Sequence, residues 1–312
     1  MPSIAVSAIA GSVLDLIGNT PLLHLSKFSP PAGGADIFAK LELMNPGGSI
    51  KDRIGVAMIE DAERRGLLTP GGTIVEPTAG NTGIGLALAG ARKGYRVILV
   101  VPERYSIEKQ KVMRALGGEL ILTPHSEGMK GAIAHAKKLA SEIPGAYCPQ
   151  QFANPSNPAA HEAETGREIG EQLAGRSVDA IVIGAGTGGT FTGVVRHFRK
   201  TNPACRAVLV EPQGSIFGGG EPGDHRVEGI GNSFWPETLD RTLVDEVVTI
   251  HDPEAFDAVK ELARLEGLLV GGSSGCNAAA ARRIARRLGP GKTVITVLPD
   301  SADRYMSKGI FD

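Results

Sequence analysis

Cysteine is scarce in this chain, and Cys148, Cys205 and Cys276 lie far apart in neither a CxxC pair nor a zinc-ligand pattern. That excludes a disulfide scaffold and a structural metal site, and leaves reduced structural thiols. An excess of charge of one sign is also absent: 33 basic against 34 acidic residues give a net charge of -1, with Lys and Arg scattered along the chain. A surface dedicated to nucleic acid or anionic membrane is therefore not expected. No apolar run reaches the roughly 18 to 20 residues of a membrane span. The run "YRVILVVP" stops at Pro102. The N-terminus lacks a basic region followed by a cleavage pattern, so a cytoplasmic location is expected. Repeats and low-complexity tracts are missing too.

What remains is a globular chain of 312 residues with 42% hydrophobic content, enough for one large core or two medium ones. Strand-like runs at "DIFAKLE", "GTIVEP", "RVILVV", "ELILT", "DAIVIG", "RAVLVEP", "DEVVTI" and "KTVITVLP" are separated by helix-length segments. That alternation predicts an α/β fold with mainly parallel twisted sheets covered on both faces. Two such units are expected, divided near "NPGG" and again near "CPQQFANP". Gly214 to Gly231 is too rich in glycine for a regular element and is expected to be a mobile surface loop.

Three segments carry chemistry. In Asn45 to Arg53, "NPGGSIKDR", Ser49 is a candidate cap for a helix with apolar positions Ile54, Ala57, Met58 and Ala62, closed by Gly66. Lys51 then falls in the first turn, where the helix dipole disfavours an ammonium by roughly a few tenths of a kcal/mol. Such a lysine suits Schiff-base chemistry, which needs a lowered pKa. The plainer alternative is a solvated lysine offset by Asp52.

The second segment, Thr78-Ala79-Gly80-Asn81-Thr82, runs from a strand end into a helix and gathers N–H groups and the Thr82 hydroxyl at a helix N-terminus. With one glycine and no lysine it fits a carboxylate better than a triphosphate, unless it is only a capped turn. The third, Gly184 to Gly189, satisfies G-x-G-x-x-G after a strand, and the next strand ends in Glu211, as a dinucleotide site would require. Read as Gly186-Thr187-Gly188-Gly189-Thr190, the same loop offers N–H groups and two hydroxyls to a phosphate monoester. The phosphate reading uses all three segments. A nicotinamide enzyme has no evident need of Lys51 or the Asn81 turn.

Together "NPGGSIKDRIGVAMIEDAERRG", "EPTAGNTGIGLALA", "QFANPSNPAAH", "GAGTGGTFTG", "VEGIGNSF" and "GGSSG" resemble the cysteine synthase and cystathionine β-synthase family of pyridoxal-phosphate enzymes, fold type II. The resemblance covers about Leu14 to Phe311. "EGMKGAI" and "DSADRYMSKGIF" look most like the bacterial stand-alone, O-acetylserine-using cystathionine β-synthases. It implies two three-layer αβα domains of the tryptophan synthase β-like kind: a smaller mobile substrate-binding domain at 45–149, and a larger cofactor-binding domain at 1–44 and 150–312.

Carried over, the resemblance makes Lys51 the Schiff-base lysine and Asn81 the partner of the cofactor's 3-hydroxyl. Gly186, Thr187, Gly188, Gly189 and Thr190 become the phosphate loop, and Ser273 faces the pyridine nitrogen. Thr78, Ala79, Asn81, Thr82 and Gln151 surround the substrate carboxylate. Ala79 stands where the family usually has serine, which keeps an N–H but removes a hydroxyl. Glu228 matches the acidic residue of the cystathionine-forming branch and is expected to receive the amino group of a second amino acid. Serine rather than aspartate at the ring nitrogen leaves it neutral and the ring a weaker electron sink, favouring loss of the β-substituent over transamination. Ser273 also qualifies as a helix cap.

The implied activity is β-replacement on O-acetylserine or serine by homocysteine or sulfide, giving cystathionine or cysteine. A homodimer and a serine acetyltransferase partner are further implications. No room is expected for a haem-binding extension or for regulatory repeats. The alternatives are a cysteine synthase only, a serine or threonine dehydratase, a catalytically silent binding partner and an NAD-dependent oxidoreductase.

Overall fold

The computed structural model describes residues 9–31, 33–78, 80–103 and 106–312. The chain opens with β1 (Leu22–His24), β2 (Asp36–Leu41) and α1 (Lys51–Arg64). It continues with β3 (Thr73–Pro77), α2 (Asn81–Lys93), β4 (Arg96–Pro102), α3 (Ile107–Ala115), β5 (Glu119–Thr123) and α4 (Gly128–Glu142). Two short helices, α5 (Ser156–Ala160) and α6 (Arg167–Gln172), flank a wide π turn at His161–Gly166. The rest is β6 (Ala180–Gly184), α7 (Gly189–Arg199), β7 (Arg206–Pro212), β8 (Glu246–Ile250), α8 (Asp252–Glu261), α9 (Gly272–Leu288) and β9 (Thr293–Leu298).

All eight strands expected from the apolar runs form. The additional β1 spans three residues, too short for any periodic pattern to reveal. The strands make a six-stranded sheet in the order β1-β2-β9-β6-β7-β8 and a three-stranded sheet β3-β4-β5. Only β1 pairs antiparallel; every other ladder is parallel.

Parallel strands buried on both faces divide their side chains between two cores by the two-residue period of the pleat. In the small sheet Val97, Leu99 and Val101 pack with α1 and α2, while Ile98 and Val100 face Ala132 and Ala136 of α4. In the large sheet Val208 and Val210 face α8 and α9, and Ala207 and Leu209 face α7. The fold is therefore α/β, with each sheet sandwiched between helices.

Helices α1 and α2 approach unusually closely. A Cβ on Gly55 would come within 2.5 Å of the Gly85 carbonyl carbon, so glycine on both helices lets the backbones touch. This contact sets the N-termini of α1 and α2, and with them Lys51 and Asn81, side by side.

The stretch from 214 to 231 is irregular, as expected, but it is not a free surface loop. Phe217, Val227 and Ile230 are buried in the large-sheet cores, and Glu211 accepts the N–H groups of Phe217 and Gly218 at 2.9 and 3.1 Å. Apolar residues scattered among glycines anchor it without forming an element. No helix among the described residues is long and apolar enough to cross a membrane. All three thiols are free; burial pushes Cys148 and Cys205 up to about 12 and Cys276 higher still.

Candidate active site

Lys51 is the first residue of α1. The loop before it is tied down from several sides. Asn45 Oδ1 accepts the Gly18 N–H at 2.8 Å, Asp52 Oδ2 accepts the Gly47 N–H at 2.5 Å, and Arg304 donates to the carbonyls of Gly47 and Gly48. Ser49 Oγ accepts the Lys51 N–H at 3.3 Å, so it serves the helix start although Ile50 is the boundary residue. Asp52 does not offset the lysine, as the sequence suggests it could, because its carboxylate turns back into its own loop. Below, Arg53 is clamped between Glu42 and Glu168 at 2.8 and 2.7 Å, and Lys40 reaches Glu168 at 2.7 Å, a fully buried ionic cluster.

The Lys51 amine has no hydrogen-bond partner among the described residues. Burial pushes its pKa down to about 8, with the charge of Asp300 pulling the other way. The helix dipole is the cause expected from the sequence; removal from water is the larger one.

The turn into α2 is held from within. Thr78 Oγ1 accepts the N–H groups of Gly80 and Gly83 at 3.0 and 3.1 Å, and the Thr82 hydroxyl donates to Gln151 Oε1 at 2.6 Å. Gln151 is itself fixed by Glu76, whose carboxylate accepts the N–H groups of Gln150 and Gln151 at 2.8 and 2.9 Å. Burial pushes Glu76 up to about 8. Asn81 Nδ2 donates to Asp300 Oδ2 at 2.7 Å, leaving Asn81 Oδ1 buried with no donor. Ala79 lies outside the described residues.

Two carbonyls of the loop after β6 are taken up by side chains. Asn232 Nδ2 takes the Gly186 carbonyl at 2.5 Å and the Thr238 hydroxyl the Thr187 carbonyl at 2.5 Å. Gly188 adopts φ +82°, a conformation glycine tolerates without strain, just before α7 begins at Gly189. The first N–H groups of α7 lack partners within the helix, which makes this end an anion site. Asn157 Nδ2 donates to Thr187 Oγ1 at 3.0 Å, and Thr190 Oγ1 meets buried His161 Nε2 at 3.1 Å. Burial holds His161 well below its ordinary pKa, hence neutral.

A cavity of ≈ 450 Å³ joins these segments. It is lined by Lys51, Thr78, Asn81, Thr82, Gln151, Gly186, Thr187, Gly188, Thr190, Glu228 and Ser273. Gly189 does not line it; it packs against Asn157, whose side chain leaves no space for a Cβ there. Ser273 is buried in the first turn of α9 and its hydroxyl bonds no described residue; α9 is preceded by Gly271 and has no side-chain cap. The expected capping role of Ser273 is thus not realised.

Glu228 is engaged on one oxygen only. Its Oε2 accepts from Lys109 Nζ at 2.9 Å, and Oε1 lies 3.6 Å from Lys308 Nζ.

These residues fit pyridoxal phosphate: a partly buried, unbonded amine, an unpartnered amide oxygen, an anion-binding helix start and an uncommitted hydroxyl share one cavity. A dinucleotide site fails on Glu211, which is buried and spent on Phe217, Gly218 and Thr249. Sequence reasoning missed Glu76, Lys109, Asn157, His161, Asp300 and Tyr305. All but Lys109 lie within the motifs quoted above, Glu76 in "EPTAGNTGIGLALA", Asn157 and His161 in "QFANPSNPAAH", Asp300 and Tyr305 in "DSADRYMSKGIF", but their types alone gave them no role.

Comparison with known proteins agrees with this geometry. The family described as "Pyridoxal-phosphate dependent enzyme" matches residues 13–300. The O-acetylserine dependent cystathionine beta-synthase of Bacillus subtilis is 50% identical over 300 residues, covering 96% of this chain and 97% of that protein. A cysteine synthase of Staphylococcus aureus is 46% identical over 301 residues, covering 96% of each. The crystal structure of O-acetylserine dependent cystathionine beta-synthase from Helicobacter pylori superposes with TM-score 0.94 at 47% identity, covering 98% of this chain and 100% of that one. That of O-ureido-L-serine synthase gives TM-score 0.94 at 40% identity, covering 98% and 96%.

Proposed function

The chain belongs to the pyridoxal-phosphate dependent enzyme family, and from that premise we propose that it replaces the β-substituent of O-acetylserine or serine with a sulfur nucleophile. Homocysteine as acceptor gives cystathionine and sulfide gives cysteine. The observation that carries this reading is the Lys51 amine, partly buried and without a hydrogen bond among the described residues, in the cavity that also holds Asn81 and Ser273.

Pyridoxal phosphate, when bound, supplies the electron sink that acidifies the α-hydrogen of an amino acid and lets its β-substituent leave. Lys51 would hold it covalently and, once displaced by the incoming amino acid, is the amine that moves the Cα proton. Gly186 to Thr190 would hold its phosphate and Ser273 would meet its ring nitrogen. The turn from Thr78 to Thr82, with Gln151, would hold the substrate carboxylate. Asn157 and His161 keep Thr187 and Thr190 in place, and Glu76 keeps Gln151 against Thr82.

Support for O-acetylserine as donor comes from the relatives named for it. Residues 45–149 contain the whole three-stranded sheet and none of the large one, which supports their closing over the substrate as a unit. A homodimer, a serine acetyltransferase partner and a cytoplasmic location complete the reading, supported by the family resemblance alone.

The test is a crossed assay of two donors against two acceptors, preceded by borohydride reduction of the cofactor-loaded protein. Fixation of the cofactor on a lysine other than Lys51 rejects the assignment. Release of a keto acid with no thioether or thiol product would favour a dehydratase.

A further inference from the structure

We propose that Asp300 is a positioning residue of this site: it orients the Asn81 amide so that its oxygen is left for the ligand, and places a negative charge beside Lys51. The inference rests on the reading of Lys51 and Asn81 as partners of the cofactor.

Asp300 follows the end of β9 and is 1% exposed. Its backbone is stitched to two segments of the site. The Ile50 N–H donates to the Pro299 carbonyl at 2.9 Å, and Ser49 and Asp300 form an isolated bridge immediately before Lys51. The Gly271 N–H donates to the Asp300 carbonyl at 3.2 Å, two residues before Ser273. A Cβ on Gly271 would collide with Asp300 Oδ1, so glycine there admits the carboxylate.

The side chain closes a chain of hydrogen bonds whose directions are all determined. The Lys109 ammonium can only donate, and it reaches Tyr305 Oη at 3.0 Å. Tyr305 must therefore accept from Lys109, and its single proton goes to Asp300 Oδ2 at 2.5 Å. An ionised carboxylate only accepts, so Asn81 has to present Nδ2 to it, at 2.7 Å. Asn81 Oδ1 is then an acceptor with no donor in the described protein. A ring hydroxyl of the cofactor is the donor it lacks.

The charge has a second role. Asp300 is the acidic group acting on Lys51. The other groups near the amine do not replace it. His161, from the π turn, is held neutral, Arg53 is cationic, and burial pushes Asp52 up to about 7. Without Asp300 the amine would lose its counter-charge.

Two variants separate charge from position. Asp300→Asn keeps the shape and an acceptor oxygen; Asp300→Ala removes both. In cofactor-free protein, the pH dependence of Lys51 acetylation by acetic anhydride, followed by peptide mass spectrometry, reports the amine directly. Both variants should lower its midpoint by about one pH unit. Asp300→Ala should also bind pyridoxal phosphate about tenfold more weakly, the loss of one hydrogen-bonded orientation, with Asp300→Asn within about threefold of the parent. An unchanged midpoint in both variants overturns the electrostatic role, and parental cofactor affinity in Asp300→Ala overturns the positioning role. If reduction fails to fix cofactor on Lys51 of the parent protein, the functional reading falls instead. The acetylation midpoints of the cofactor-free protein still decide the charge.

Discussion

A Cβ added to Gly85 would lie 2.5 Å from the carbonyl oxygen of Lys51. The lysine is thus placed by a backbone contact between two helices as well as by its own loop. The second helix begins at Asn81, so the same contact spaces the two residues that the cofactor would touch.

Gly85→Ala should push α1 away from α2, because the three nearest atoms are all backbone and cannot rotate aside. Overpacking of this kind costs about 1 to 3 kcal/mol. The expected outcome is a lowered unfolding midpoint in urea together with weaker cofactor binding. Gly90→Ala, further along the same helix, meets the Val97 side chain rather than α1, and should lower stability with cofactor affinity retained. Equal loss of cofactor affinity in both variants would show that Gly85 has no special relation to Lys51.

The Lys51 amine makes stability depend on pH in the cofactor-free protein. Its native pKa is about 8 against an ordinary 10.5. Between those values the unfolded chain holds the proton and the folded chain does not, so stability rises with pH across this window. At pH 7 the buried ammonium costs about 3 kcal/mol, because a tenfold change in proton affinity is worth about 1.4 kcal/mol. Lys51→Met should therefore stabilise the cofactor-free protein near pH 7, and its advantage over the parent should shrink steadily from pH 8 to pH 10.5. Urea titrations of both proteins across this range check it; a pH-independent difference would mean that Lys51 titrates as an ordinary lysine.

Much of this architecture was legible because it rests on local signals. Val97 to Val101 alternate between two cores, yet the strand reads as one apolar run because both faces are covered. The loop at Gly186 to Thr190 was legible because only glycine tolerates both the turn at Gly188 and the crowding beside Asn157. What was not legible depends on partners distant in sequence. Glu76 looks like an ordinary acid at a strand end, and its task is visible only once the segment of Tyr147 to Gln151, distant in sequence, is laid along β3. Asp300, 219 residues from the Asn81 amide it accepts, is the same case. Glu228 shows the opposite failure: its motif was readable, but nothing in "VEGIG" reveals that Lys109 occupies one of its oxygens.

Ser273→Asp tests the uncommitted hydroxyl in the first turn of α9. An anion at this point would favour a protonated ring nitrogen in the bound cofactor, strengthening the electron sink that a neutral hydroxyl leaves weak. Turnover should fall at least about tenfold, and new long-wavelength absorbance should build up on adding the donor. Helix stability is expected to hold, since an acidic residue in the first turn suits the dipole. Parental turnover and spectrum would remove Ser273 from the chemistry.

The choice of acceptor turns on Glu228. Its side chain is 15% exposed, so it borders the cavity without being solvated. Lys109 takes Oε2, whereas Oε1 has only Lys308 at 3.6 Å, beyond hydrogen-bond distance. A carboxylate has about four lone-pair sites, so an ammonium can join at Oε1 without displacing Lys109. Homocysteine carries such an ammonium and sulfide does not. A hydrogen bond to a charged group contributes about 1.5 to 3 kcal/mol, or about ten- to a hundredfold in specificity. Glu228→Gln should lower kcat/KM for homocysteine by that factor and leave the value for sulfide within about twofold. The KM for the donor serves as control, because loosening of the Lys109 contact would disturb donor and acceptors alike. An equal fall for both acceptors would assign Glu228 to holding Lys109 and the loop around it. Absence of cystathionine from the parent enzyme would make it a cysteine synthase alone.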